Sequence, residues 1–336
     1  MKTKALVVIF ILAVLLLSCA PRNHFVVYSA SSDEKSVNLY LVNTDSGENQ
    51  QLTNVKYANY PAWSPDGKKI VFSSSYGLYS MSRDKGALTK IIDTPKFEIH
   101  PNWSPDGGKI AFISQDVENP SLYDLMVVNV DGTGLITLAS NLGDIEYFSS
   151  FSWSPDGKKI AFSNPVNESR EIVTINADGT ELTQVTNFSE SPFPPPTQPA
   201  WSPDGMKIAF VTYELFVVNS DGTELNKLLE KTEGISTFYA PQWSPDGKHI
   251  ACQNGDNIIL INPMSMQTTT ISGEYPLGDY SWSPQGDQLA YFIFNGSGNV
   301  SYGNLGIEKV DMHSMQKVLI TKYLRFYPWQ SLSWQP

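Results

Sequence analysis

The sequence predicts an all-β protein, a seven-bladed β-propeller of four-stranded antiparallel blades, on three observations. Seven of the eight tryptophans stand in copies of one phrase: Trp-Ser-Pro-Asp-Gly at Trp63, Trp103, Trp153, Trp201 and Trp243, Trp-Ser-Pro-Gln-Gly at Trp282, and Trp334-Gln335-Pro336 at the C-terminus. The copies recur at intervals of roughly 40 to 50 residues, the period of one propeller blade. The two ends of the chain hold complementary fractions of one repeat, so the ring is expected to close by pairing them.

Each part of the repeat has a physical reading. Seven residues after each Trp comes an apolar triplet: Ile70-Val71-Phe72, Ile110-Ala111-Phe112, Ile160-Ala161-Phe162, Ile208-Ala209-Phe210, Ile250-Ala251-Cys252 and Leu289-Ala290-Tyr291. Short runs of β-branched and aromatic residues read as buried strands. Between Trp and triplet, Ser-Pro-Asp-Gly specifies a tight hairpin, with Pro fixing φ at the first corner and Gly taking the left-handed position. A third strand is legible in Leu125–Asn129, Glu171–Asn176 and Leu215–Asn219, each followed by an Asp-Gly turn at Asp131, Asp178 and Asp221. Leu182-Thr183-Gln184-Val185-Thr186 exemplifies the fourth strand.

At the N-terminus, Phe25-Val26-Val27-Tyr28 reads like Lys69-Ile70-Val71-Phe72, and Asn38-Leu39-Tyr40-Leu41-Val42-Asn43 reads like a third strand. That end supplies strands two to four of a blade without its first. Ser331-Leu332-Ser333-Trp334 supplies the missing strand, which pairs the open edges.

On these motifs the chain resembles the TolB-type propellers, bacterial relatives of the WD40 class, from about His24 to Pro336. The resemblance implies a β-propeller fold. The protein that gives the family its name carries an α/β domain ahead of a six-bladed ring. This sequence departs from that pattern with seven repeats and a short leader, and a role in Tol translocation is not carried over.

Residues 1–19 read as a targeting segment. Lys2 and Lys4 form a basic start, and Ala5–Leu17 is apolar but shorter than the ~20 residues of a spanning helix. Leu16-Leu17-Ser18-Cys19 resembles the bacterial lipobox, in which the Cys is diacylated and becomes the mature N-terminus. The other reading is an ordinary secretory leader cleaved near Ala20. The expectation is a lipid-anchored protein of the cell envelope, facing periplasm or exterior, with residues 20–336 forming one propeller domain. Loss of two leader lysines takes the formal charge from −11 to −13, which argues against nucleic acid or anionic lipid as partners. Cys252, in the Phe slot of its triplet, reads as a buried core thiol.

The repeated aspartates Asp66, Asp106, Asp156, Asp204 and Asp246 are turn residues on separate blades, and no metal or other cofactor is expected from them. The repeated tryptophans read as packing between blades. Function is expected in the connections that vary from blade to blade and ring one mouth of the channel. These combine aromatic and acidic residues, a rim suited to a protein or glycan partner. The candidate residues are Tyr60, His100, Glu146, Tyr147, Phe193, Gln198, Tyr239, Asp279, Tyr280 and Trp329. The Pro-rich stretch Ser191–Thr197 reads as a stiff extended segment that presents Phe193 or spans the mouth. A monomer is expected.

Prolyl-oligopeptidase-like peptidases use similar propellers, but this chain has no Gly-x-Ser-x-Gly elbow. Oligogalacturonate lyases offer a second enzymatic reading, with a channel metal held by His and Gln. By repeat position His24, His249 and His313 fall at the hairpin end and only His100 at the mouth. If a metal site exists, His100, Gln198 and Asp279 are its candidates. No catalytic residue is assigned, and a non-catalytic scaffold is the preferred expectation.

Overall fold

A computed structural model describes residues 24–33, 36–75, 77–84, 86–143, 150–167, 169–189, 191, 193–231, 237–274, 276–295, 304–325 and 331–336. It contains seven four-stranded antiparallel sheets. Six are continuous in sequence, spanning residues 58–93, 97–139, 152–184, 197–229, 238–272 and 277–325. We number these blades two to seven. In blade one, strand Leu332–Trp334 lies beside Phe25–Asp33, followed by Ser36–Asn43 and Asn49–Gln51. Its register pairs Val26 with Trp334, Val27 with Ser333 and Tyr28 with Leu332. Blade one is therefore built from both chain ends, as the repeats predict.

The register is the same from blade to blade. The Trp that ends the first strand pairs with the first residue of the triplet: Trp63 with Ile70, Trp103 with Ile110, Trp153 with Ile160, Trp201 with Ile208, Trp243 with Ile250 and Trp282 with Leu289. Ser-Pro-Asp-Gly makes this register by closing on itself. In blade two the Ser64 hydroxyl donates to Asp66 at 2.7 Å and accepts from the Lys69 amide at 2.9 Å, while the Asp66 carboxylate accepts from the Lys68 amide at 3.1 Å. Gly67 takes φ +67°, where a side chain is strained. The hydrogen bonds, that from Ser64 first, hold the Asp66 carboxyl below its usual range. Hydroxyl and carboxylate are both engaged within the turn, which accounts for their repetition.

Strand alternation divides each triplet between two interfaces. Ile70 and Phe72 pack with Val27, Leu39 and Leu41 of blade one, whereas Val71 packs with Trp103, Ile110 and Phe112 of blade three. The same arrangement places Ala111 against Ile160 and Phe162, Ala161 against Ile208 and Phe210, Ala209 against Ile250 and Cys252, and Ala251 against Leu289 and Tyr291. At the seam, Ala290 meets Val26, Tyr28, Leu332 and Trp334. The core is a ring of seven such interfaces, and the middle residue facing the next blade is Ala in five blades and Val, as Val27 and Val71, in the other two. Cys252 is fully buried, and that burial pushes its thiol up to about 12, leaving it a packing residue.

The tryptophans also tie blades together by hydrogen bonds. The indole N–H donates to the carbonyl just before the Trp of the preceding blade in five cases: Trp63 to Ser333 and Trp103 to Ala62 at 3.1 Å, Trp153 to Asn102 at 3.4 Å, Trp243 to Ala200 at 3.1 Å, and Trp282 to Gln242 at 3.4 Å. For Trp201 and Trp334 the indole finds no protein acceptor among the described residues. In both, the preceding blade offers a serine, Ser152 or Ser281, whose hydroxyl accepts from the Trp backbone N–H instead, at 3.0 and 3.1 Å. We expect Trp103→Phe to cost roughly 1 kcal/mol more than Trp201→Phe, the value of one hydrogen bond. Urea unfolding of the two variants measures this, and equal losses would show that the indole bonds contribute nothing.

Candidate binding site at the channel mouth

The first strand of each blade lines the channel, and a repeated irregularity shapes its upper part. Registers slip by one residue between Asn59 and Ala62, Ile99 and Asn102, Thr197 and Ala200, and Tyr239 and Gln242. Each bulge holds a proline two residues before the Trp: Pro61, Pro101, Pro199 and Pro241. Proline has no N–H to give a ladder, so a bulge on an inner edge suits it. The residue before each proline has positive φ: Tyr60 at 52°, His100 at 52°, Gln198 at 54° and Ala240 at 48°. Such conformations are uncommon without glycine and gather where function constrains the backbone.

Five of the seven equivalent positions, Tyr60, His100, Ser150, Asp279 and Ser331, line one cavity of about 280 Å³, together with Asn102, Gln242 and Ser333. The Tyr60 and His100 rings lie 4.1 Å apart between centroids, tilted by 42°. Burial raises the Tyr60 hydroxyl to about 12 and lowers His100 to about 4, so at neutral pH both are uncharged and form an amphipathic platform. Burial pushes Asp279 up to about 6, although its carboxylate accepts from the Tyr280 amide at 3.0 Å and the Leu332 amide at 3.3 Å. Asp279 thus touches the strand that closes the ring. The cavity combines an aromatic pair, a carboxyl poised near neutrality and several hydroxyl and amide groups.

The remaining expected site residues divide. Gln198 does not line this cavity, because its side-chain carbonyl accepts from the Ala240 amide at 2.6 Å and joins blades five and six. Tyr239 is 46% exposed and free to present its ring beside the mouth. Two residues lie elsewhere than expected. Tyr280 is buried in the interface between blades six and seven, its hydroxyl against the carbonyls of Ala240 and Ala251, the latter at 2.9 Å. It occupies the slot that proline fills in four other blades, and its larger ring extends from there into the blade interface. Phe193 packs edge-on against Phe216, 5.5 Å between centroids, beneath the Lys227 ammonium and away from the channel axis. Glu146, Tyr147, Trp329 and Cys19 lie outside the described residues.

His100 and Asp279 share the cavity, while His249 and His313 sit in hairpin turns and His24 lies against Trp334, as their repeat positions imply. Among the described residues no three His, Cys, Asp or Glu side chains are grouped to hold a metal ion. Asn102, Gln242 and Ser333 are lining residues missed from sequence. Their signal is that they stand just before an invariant Trp yet vary from copy to copy.

The family model for PD40, the TolB beta propeller domain, matches residues 18–196 and 146–312. No curated protein matches the chain. Among solved structures, TolB from Acinetobacter baumannii is 15% identical, with TM-score 0.54 over 96% of this chain and 85% of its own. An oligogalacturonate lyase in complex with manganese is 13% identical, with TM-score 0.60 over 88% of this chain and 84% of its own. A chain of the nidogen/laminin complex is 12% identical, with TM-score 0.54 over 74% of this chain and 94% of its own. At these identities the likeness to solved structures is one of fold. With the family match running through most of its repeats, the chain belongs to the TolB beta propeller domain family.

Proposed function

We propose that this protein is a non-catalytic, lipid-anchored scaffold of the cell envelope that binds a protein partner at its channel mouth. The observation that carries the reading is the convergence of Tyr60, His100 and Asp279, from blades two, three and seven, on one cavity while the fixed residues of the repeat are absorbed by turns and blade interfaces. A propeller of like fold seen in the nidogen/laminin complex supports a protein as the class of partner. Aromatic anchors in and beside a polar cavity are the residue types that concentrate binding energy. The lipobox-like Leu16–Cys19 supports the anchor.

Replacing Tyr60, His100 and Tyr239 with Ala is expected to weaken partner binding by roughly 100-fold or more while the fold survives. Lys68→Glu with Lys158→Glu, at the opposite end beside the hairpin turns, is expected to bind as wild type. Crosslinking and co-purification from detergent-extracted envelopes compares the two sets. Normal binding by the mouth variants and failure of the turn variants would move the site to the other face. Polysaccharide cleavage by the purified protein on addition of manganese would replace the scaffold reading with an enzymatic one.

A further inference from the structure

The end of the ring opposite the mouth carries an unusual surface. The hairpin turns and the turns between third and fourth strands lie together there, joined by backbone bonds such as Val130 N–H to Gly108 and Ala177 N–H to Lys158. In blades two to seven this end exposes large apolar side chains in or just after the second of these turns: Leu88 (43%), Leu135 (41%), Leu182 (57%), Leu225 (47%), Met264 (88%) with Met266 (49%), and Met315 (36%). Scattered exposed apolar residues are ordinary, but at least one in each of six successive blades on a single face forms a ring. Blade one breaks the pattern, with Asp45, Ser46 and Glu48 at the same place.

Blade one is also where the N-terminal segment joins the ring. Phe25–Asp33 begins at this end, where the Phe25 carbonyl accepts from the Gln335 amide and the Gln335 side chain donates to Gly67 of the neighbouring hairpin. Four residues, Ala20 to Asn23, separate Cys19 from His24. Five Cα steps reach roughly 18 Å at full extension, whereas the nine-residue strand alone carries the chain about 30 Å toward the mouth. A lipid on Cys19 therefore cannot bring the mouth to the bilayer that holds it.

We propose that the hairpin face lies against a lipid bilayer, with the Leu/Met ring in contact with lipid and the channel mouth turned away. This rests on the lipid-anchor reading. Acyl chains at blade one and apolar side chains at the six others are separate signals of the kind that combine in stable attachment. The contact is apolar rather than electrostatic, since exposed Lys68, Lys158 and Lys248 pair with Asp66, Asp156 and Asp246 at 3.4, 3.7 and 2.9 Å. Attachment should accordingly be indifferent to the proportion of anionic lipid.

The test uses the full-length protein in isolated bacterial membranes, with a cysteine introduced as Leu182→Cys or Met264→Cys on the hairpin face, or Tyr213→Cys in the turn between the second and third strands of blade five, at the opposite end. These positions are at least 50% exposed, so the fold is not put at risk, and Cys252 is fully buried. Reaction with a bulky, membrane-impermeant maleimide should be several-fold slower on the membrane than in detergent at the two hairpin positions, and unchanged at position 213. Incorporation of a fatty-acid analogue is measured alongside, with Cys19→Ser as the unlabelled control. Incorporation with equal maleimide rates overturns the orientation and leaves the anchor standing. No incorporation removes the anchor, and the orientation with it.

Discussion

Removal of residues 330–336 should lower the melting temperature by roughly 10 °C or more, far beyond the effect of removing an equal length of surface loop. The segment holds the innermost strand of blade one, with Leu332 and Trp334 buried at 6% and 4% exposure. Its loss also strips the Ser333 carbonyl from the Trp63 indole, the Gln335 side chain from Gly67 and the Leu332 amide from Asp279. Deleting two large core side chains costs on the order of 5 kcal/mol or more, comparable to the whole stability of many domains. It also bares the edge beside Val26, Val27 and Tyr28. Thermal unfolding followed by circular dichroism measures the effect. A melting temperature within a degree or two of wild type would mean that the seam contributes little to the ring.

The second large effect is a pair of opposite pH dependences at the mouth. Asp279 titrates near 6 in the folded protein, above its ordinary carboxyl value, so its contribution to stability is complete below about 4 and is lost as pH rises through 6. His100 titrates near 4, below its ordinary value near 6.5, so its contribution is complete above 6.5 and is lost as pH falls toward 4. The two largely cancel in wild type between pH 4 and 6. Breaking the balance should expose each: relative to wild type, Asp279→Asn loses stability as pH falls from 7 to 4, and His100→Gln gains. After discounting for water in the channel, a change of roughly 1–2 kcal/mol is expected each way. Urea unfolding across that range, read as the difference from wild type, is the measurement. Parallel curves for both variants would show that neither group is desolvated in the folded ring.

Much of the fold was legible because a repeat makes each copy a check on the others. Trp63 through Trp334 set the period, the triplets set the register, and the unequal ends at Phe25 and Trp334 revealed the seam. What escaped was local backbone geometry. The bulge at Tyr60, His100, Gln198 and Ala240 has no hydrophobic pattern, and its mark, a proline on an inner strand, is also compatible with an ordinary strand end. Of the site, Tyr60, His100 and Asp279 were reached by counting back from each Trp. Tyr280 was misplaced because an aromatic beside an acid resembles a rim residue, whereas its place in the strand turns it into the blade interface. Phe193 was misplaced for a related reason, since its Pro-rich context says that the loop is stiff without saying which surface it lies on.

The seam bears on the order in which the protein is made. Six blades join neighbouring strands by short turns and can form locally, but the seam unites segments about 300 residues apart, as in the contact between Ser331 and Ser29. Closing so long a loop carries an entropic cost that the partners recover only once every intervening blade occupies its place. Synthesis sharpens the delay, since Trp334 leaves the ribosome only after all six continuous blades have done so. Until then the apolar edge of Phe25–Asp33 has no partner, and the nascent ring is most open to aggregation or to a helper protein at the place where its finished form is locked.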